Sequence, residues 1–126
     1  MDSINKKTIF LVDDDVTNLV VGKKALVKQY TVFALNSGQI LLDTLEKVHP
    51  DLILLDINMP EMTGIETLQK IRENPKTAHL PVIFLTSLDD NDTVMVALHY
   101  GVNDYITKPF VPDDLLIRVE SHLKNL

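Results

Sequence analysis

Three adjacent aspartates, Asp13, Asp14 and Asp15, directly follow the apolar run TIFLV, and a fourth, Asp56, ends the apolar run DLILLD. Carboxylates that converge at a low-dielectric edge are costly unless a cation neutralises them. The candidate cations are Lys108 and a hard divalent ion. Magnesium takes carboxylate oxygens, keeps several waters and often binds a phosphate oxygen. Asp13, Asp14 and Asp56 therefore predict a Mg²⁺ site with room for a phosphate.

Five short runs rich in β-branched and apolar residues predict the strands that position these side chains. Runs such as LILL and VIFL are apolar at every position, which is typical of strands covered on both faces in a parallel sheet. The segments between them have helical spacing. The predicted strands are 8–12, 31–35, 51–56, 81–87 and 104–107, and the predicted helical stripes are Val16, Leu19, Val20, Val27 and Tyr30; Leu41, Leu45 and Val48; Ile65, Leu68 and Ile71; Val94, Ala97 and Leu98; and Leu115, Leu116, Val119 and Leu123.

Residues typical of helix ends support this division. Thr63 to Glu66 has the form of a capping box, Pro112 suits a first helical turn, and Gly101 follows the fourth stripe where a C-terminal cap is expected. Strand and helix thus alternate five times. Because crossovers between parallel strands are right-handed, this order predicts an open α/β sheet with helices on both faces, flavodoxin-like or Rossmann-like.

In such sheets the functional crevice lies beyond the carboxyl ends of the strands. The second strand, which we place at an edge, brings only Asn36 and Ser37 there. Singly, the other residues have simpler interpretations: Asp15 caps a helix, Asp56 begins a turn and Lys108 is a solvated charge. Their combination at one edge indicates a site. The predicted rim comprises Asp13, Asp14, Asp15, Asp56, Asn58, Met59, Pro60, Thr86, Ser87, Thr107, Lys108 and Pro109.

Composition narrows the functional class. The chain has 126 residues, predicted to form one domain over 1–126, and a net charge of −6, which argues against nucleic-acid binding and against docking on anionic membranes. It has no cysteine, and its four histidines are scattered without ligand spacing, so a soft-metal site is not expected. Without a signal peptide or an apolar run of roughly 20 residues, a cytoplasmic protein is predicted.

Four segments together carry a family resemblance: LVDDD, LLDINMPEMTG, FLTS and GVNDYITKPF. The chain resembles, over essentially its whole length, the receiver domain of bacterial two-component response regulators, the CheY-like family. The resemblance implies a flavodoxin-like three-layer sandwich with a five-stranded parallel sheet of order 2-1-3-4-5 and five flanking helices. Two positions depart from the family. Ser87 stands where a small apolar residue is more common, and Asn103 where an acid or alanine is common.

The resemblance also implies roles for individual residues. Asp56 is the phosphoacceptor, and Mg²⁺ is held by Asp13, Asp14, Asp56 and the backbone carbonyl of Asn58. Lys108 and the Thr86 hydroxyl stabilise the phosphoryl group. The switch residues are Thr86 and Tyr105, and Pro109 follows a cis peptide bond.

The function so implied is signal transduction by phosphotransfer. A histidine kinase or histidine phosphotransfer protein would phosphorylate Asp56 with Mg²⁺ as cofactor. The face formed by the fourth predicted helix, fifth strand and fifth predicted helix would then change, and it would engage an output domain, an effector protein or a second copy in a phosphorylation-dependent homodimer. The exposed side of residues 89–100 is the predicted contact. The domain would catalyse only its own phosphorylation and dephosphorylation, without binding nucleic acid or membranes.

The residues present argue against three alternatives. A Mg²⁺-dependent phosphohydrolase commonly carries an acid two residues after its aspartyl nucleophile, where this chain has Asn58. A flavin-binding domain needs a Ser/Thr/Gly phosphate loop after the first strand, where this chain has DDDVTN. The third alternative is a structural adaptor that is no longer phosphorylated.

Overall fold

The computed structural model describes residues 6–87, 95, 99 and 101–124. Met95 and His99 are helical, but the rest of the fourth predicted helix, with its stripe Val94, Ala97 and Leu98, lies outside the described residues. The fifth predicted helix is α4 below. The strands are β1 (Thr8–Val12), β2 (Thr31–Leu35), β3 (Leu52–Asp56), β4 (Val82–Thr86) and β5 (Asp104–Thr107), and the described helices are α1 (Val16–Leu26), α2 (Gly38–Leu45), α3 (Gly64–Glu73) and α4 (Pro112–Lys124).

The five strands form one parallel sheet of order β2-β1-β3-β4-β5, which confirms the flavodoxin-like prediction and places β2 at an edge. One core cluster lies between the sheet and helices α1 and α4, and the other between the sheet and helices α2 and α3. Every residue of β3 and β4 is buried, as the apolar runs LILL and VIFL predict, and the burial extends to Asp56 and Thr86 at the strand ends.

The stripe predicted for α1 was wrong in three of its five positions. Val16, Val20 and Val27 are 68%, 59% and 42% exposed. The buried positions are instead Gly22 and Leu26, and a Cβ added at Gly22 would lie 2.7 Å from a methyl carbon of Leu11. Valines occur on both sides of this helix, so apolar spacing alone does not show which side faces the sheet. Close approach to β1 selects the side that carries the glycine.

Helix ends agree with the predicted caps. The Asp15 side chain accepts a hydrogen bond from Thr17 N at 2.8 Å, and Thr63 and Glu66 form both hydrogen bonds of a capping box. The last helix begins at Pro112. These caps satisfy N–H groups that have no partner within their own helix, so they help to define where α1 and α3 begin beside the rim.

Two polar networks anchor β5, the strand that precedes Lys108. The Asp104 carboxylate accepts a hydrogen bond from Arg118 Nη2 at 2.8 Å and lies 2.9 Å from His122 Nε2, which ties β5 to α4. Burial alone would raise the pKa of Asp104, but these partners outweigh it and hold that pKa below its ordinary value. Asn103 Oδ1 accepts the Val82 N–H at 2.9 Å. Its amide carbonyl thus has a structural role where the sequence departs from the family.

Among the described residues, no helix has both the length and the apolar composition needed to cross a bilayer.

Candidate functional site

The predicted rim residues meet at the carboxyl edge of the sheet. Asp13 and Asp14 follow β1, Asp56 and Thr86 are the last residues of β3 and β4, and Lys108 directly follows β5. Asp13, Asp56 and Thr86 are buried, whereas Asp14 is exposed. The edge therefore combines buried charge with an opening to solvent.

A lysine joins the two buried carboxylates. Lys108 Nζ lies 2.8 Å from Asp13 Oδ2 and 2.9 Å from Asp56 Oδ1, and its side chain is 16% exposed. Asp13, Asp14 and Asp56 each place one carboxylate oxygen within 4.8 Å of the other two. One ammonium thus contacts two carboxylates, and a third lies close to them, which leaves an excess of negative charge at the rim.

The buried Asp13 carboxylate is held at both of its oxygens, by the Asp15 backbone and by Lys108. Its Oδ1 accepts the Asp15 N–H at 2.9 Å, so Asp15 also positions Asp13, a role that sequence reasoning missed. Its Oδ2 is buried and, apart from the ion pair with Lys108, accepts no hydrogen bond in the part of the chain that the structure describes. Three clustered carboxylates with a single ammonium among them suit a hard divalent cation such as Mg²⁺. The residues present therefore fit this cofactor.

The backbone around Asp56 is held by short contacts. The Asn58 N–H donates to Asp56 Oδ1 at 3.3 Å, the Ile57 N–H to Leu85 O at 3.1 Å, and the Gly64 N–H to Ile57 O at 2.7 Å. A Cβ at Gly64 would collide with the Asp56 carbonyl oxygen. Only glycine allows α3 to begin this close to Asp56, a requirement that sequence reasoning also missed, because Gly64 there counted only as part of a capping box.

The electrostatics of the site make the Asp56 carboxyl weakly acidic. Burial, followed by the charge of Asp13, raises its pKa to about 6, although contact with Lys108 works in the opposite direction. Burial would lower the pKa of Lys108, but its contacts with Asp13 and Asp56 outweigh burial and raise that pKa above its ordinary value. The lysine therefore stays charged, and a second cation at the rim would favour ionised Asp56.

We expect Asp56 to lower the stability of the metal-free protein as pH rises. Its pKa is raised from 3.8 to about 6. The folded state therefore holds this proton more tightly than the unfolded state does. The destabilisation is absent below pH 3.8 and complete above about pH 6. With EDTA present, Asp56→Asn should increase the free energy of unfolding by on the order of 1–2 kcal/mol near pH 7.5 and change it little near pH 4. Urea denaturation at both pH values measures this. An equal increase in the free energy of unfolding at both pH values would contradict an electrostatic origin of the effect.

The remaining predicted residues lie around this centre. The Lys108 N–H donates to Thr86 O at 2.6 Å, and the Lys108–Pro109 peptide bond is cis, as the resemblance implies. Ser87 is exposed. Tyr105 is paired with Phe84 in the sheet and is 39% exposed, and it lies two residues before Thr107, the partner of Thr86.

Fold and site together define a flavodoxin-like domain with a carboxylate cluster and a paired lysine at the carboxyl ends of its strands. The family model described as the response regulator receiver domain matches residues 9–120. The chain belongs to the response regulator receiver domain family.

Individual relatives and solved structures resemble this chain over at least nine tenths of its length. A Vibrio cholerae protein named Probable cyclic di-GMP phosphodiesterase is 38% identical over 99% of this chain and 28% of its own length. A CheY-like receiver domain protein from Methanospirillum hungatei is 30% identical, with a TM-score of 0.88 and 96% of each chain covered. The Mn²⁺-bound form of response regulator Rcp1 is also 30% identical, with a TM-score of 0.79 and 91% and 90% covered.

The chain spans from 9% to 50% of the length of eight curated relatives that it matches.

Proposed function

We propose that this domain accepts a phosphoryl group on Asp56 in a Mg²⁺-dependent reaction and thereby acts as a signalling switch. The observation that carries the proposal is the contact of the buried Asp56 carboxylate with Lys108, at 2.9 Å, beside oxygens of Asp13 and Asp14. A buried carboxylate that contacts a cation and lies beside two further carboxylates able to hold a divalent ion is suited to receive an anionic group.

The chemistry is a single group transfer. An Asp56 oxygen attacks the phosphorus of a phosphohistidine, the P–N bond breaks, and its electron pair stays with the departing imidazole. Positioning and charge neutralisation provide most of the catalysis in such transfers. Lys108 neutralises one phosphoryl oxygen, and the Thr86 hydroxyl donates to another.

Mg²⁺ would be held by Asp13, Asp14, Asp56 and the Asn58 carbonyl, and when bound it would neutralise both the carboxylates and the incoming phosphoryl oxygens. The Mn²⁺-bound relative, at 30% identity, supports a divalent cation in this family. The backbone N–H of Asn58 contacts Asp56. The role of the Asn58 backbone carbonyl as a metal ligand is part of the proposal.

The switch would begin at Thr86. A phosphoryl group on Asp56 adds charge and strong acceptors that draw the Thr86 hydroxyl inward, and Tyr105 then turns toward the vacated space. The sheet register places both side chains on one face of neighbouring strands, with Phe84 opposite Tyr105 and Thr107 opposite Thr86. This supports a route from Asp56 to the face that includes β5 and α4.

The proposed partners follow from this route. A histidine kinase or phosphotransfer protein supplies the phosphoryl group in the cytoplasm. An output domain, an effector or a second copy reads the altered face. Relatives of greater length, among them the proteins named as a histidine kinase and as a phosphodiesterase, support use of the domain within larger regulators.

We assign no independent enzymatic turnover to the domain. Asn58 lacks the acid that a phosphohydrolase uses at this position. The carboxylates after β1 also disfavour a flavin phosphate at the rim. Catalysis would be confined to the transfer onto Asp56 and its later hydrolysis.

Labelling with a small acyl phosphate tests the proposal. We expect intact-mass spectrometry to show one added phosphoryl group after incubation with acetyl phosphate and Mg²⁺, and none when EDTA replaces Mg²⁺. Peptide mapping should place the label between residues 53 and 64. Labelling in EDTA, or at a different peptide, would refute the assignment.

A further inference from the structure

A cavity lies at the edge of the sheet opposite to Asp56. Its volume is about 550 Å³, and it is formed by the C-terminal ends of α2 and α3 with the loops that follow them. These helices run antiparallel to the strands, so their C-terminal ends meet at the amino ends of β3 and β4. The volume is within the roughly 300–1,000 Å³ range of small-molecule sites.

The cavity has apolar residues on one side and cationic residues at its rim. Leu45 is 6% exposed and Leu42 is half-buried, and both contribute to the lining. Lys70, Lys76 and His49 line it as well. A ligand with a flat apolar body would contact the leucines while its anionic group met the lysines.

The local charge is opposite to that of the whole chain. The chain carries −6, but this cavity has two lysines and one acid, Glu46. Neither Lys70 nor Lys76 forms an ion pair within the described ranges 6–87 and 101–124. Lys70 lies in the last turn of α3, where a cation complements the helix dipole, whereas Lys76 lies beyond the helix and is not explained in that way.

The loop that carries Lys76 is already ordered. Asn74 Oδ1 accepts the Lys76 N–H at 2.9 Å, and Asn74 O accepts the Thr77 and Ala78 N–H groups at 2.9 and 2.8 Å. The buried Thr77 hydroxyl donates to Ile71 O at 2.8 Å. Asn74 also lines the cavity. Its side-chain oxygen is used within the loop, and its side-chain NH₂ group is a further donor. A preorganised wall of this kind lowers the entropic cost of binding.

We propose that this cavity binds a small organic phosphate with a flat apolar body, of the chemical class of a nucleoside monophosphate. Lys70, Lys76 and the Asn74 amide contact the phosphate, and Leu42 and Leu45 contact the ring. The site is separate from the Asp56 rim, so the proposal stands or fails independently of phosphotransfer.

An NMR titration tests it with three probes: adenosine monophosphate, adenosine and inorganic phosphate. EDTA is present throughout, so that no phosphate enters the Asp56 rim through a bound cation. We expect adenosine monophosphate to give saturable amide shifts at Leu42, Leu45 and Thr77, with a dissociation constant of about 1 mM or tighter. Adenosine and inorganic phosphate should each bind at least about tenfold more weakly, because each lacks half of the contacts.

Matched lysine variants separate recognition from general charge. The double variant Lys70→Ala and Lys76→Ala should weaken binding of adenosine monophosphate by about tenfold or more. The double variant Lys23→Ala and Lys24→Ala removes the same charge from the exposed side of α1 and should leave the affinity unchanged. Non-saturating shifts, equal binding of adenosine, or equal weakening by both double variants would overturn the proposal.

Discussion

We expect Asp56→Asn to abolish labelling by acetyl phosphate, and this is the largest effect that we predict. The amide keeps the size of the side chain but lacks the nucleophilic carboxylate oxygen on which the transfer depends. No neighbouring carboxylate is an adequate substitute: Asp13 is fully buried and paired with Lys108, and Asp14 is exposed to water. The phosphoryl stoichiometry after incubation with Mg²⁺ and acetyl phosphate should therefore fall from near one per chain to the background of an EDTA control.

Asp15→Asn is the matched control for this variant. It makes the same chemical change at the same rim, and asparagine caps helices as well as aspartate does, so the Thr17 contact is retained. Its backbone N–H still donates to Asp13. We expect near-normal labelling. Labelling of Asp56→Asn at the rate of the original protein would show that another residue is the acceptor.

Lys108→Met is expected to have the second-largest effect, because it removes the only cation that contacts both buried carboxylates in the described part of the chain. The labelling rate should fall by about 10²–10³-fold, which is typical for loss of one preorganised group that stabilises transition-state charge. Without Mg²⁺, the free energy of unfolding should fall by about 2–3 kcal/mol, since removing one partner leaves uncompensated buried charge. Rates by quenched mass spectrometry and urea denaturation measure the two effects.

Three comparisons make the Lys108 result specific. Lys24→Met removes an exposed lysine from α1 and should alter neither quantity appreciably. Lys108→Arg keeps the charge and should retain part of the rate. Added Mg²⁺ should restore part of the stability lost in Lys108→Met, because a divalent ion also neutralises Asp13 and Asp56. An unchanged labelling rate in folded Lys108→Met would contradict the proposed role.

The local pattern of apolar and polar residues predicted most of the architecture. The strand predictions were confirmed to within one residue at each end, and the β2 edge was confirmed by the observed sheet order. Because parallel strands bring their carboxyl ends to one edge, the convergence of Asp13, Asp14, Asp56, Thr86 and Lys108 followed from the strand ends alone. The prediction of the buried stripe on α1 was wrong because periodicity defines two candidate faces when both carry valines. The close approach of Gly22 to Leu11 decides between them.

The sequence by itself determined the order of the elements, the sheet edge at which a site forms and the residue types present there, because each depends on spacing along the chain. Tertiary structure alone decided the 2.8 and 2.9 Å contacts of Lys108, the complete burial of Asp13 and the contact of Gly64 with the Asp56 backbone. It also placed the cavity between α2 and α3. These features depend on burial and on distances between elements remote in sequence, and the pKa of about 6 at Asp56 arises from the same burial and neighbouring charges.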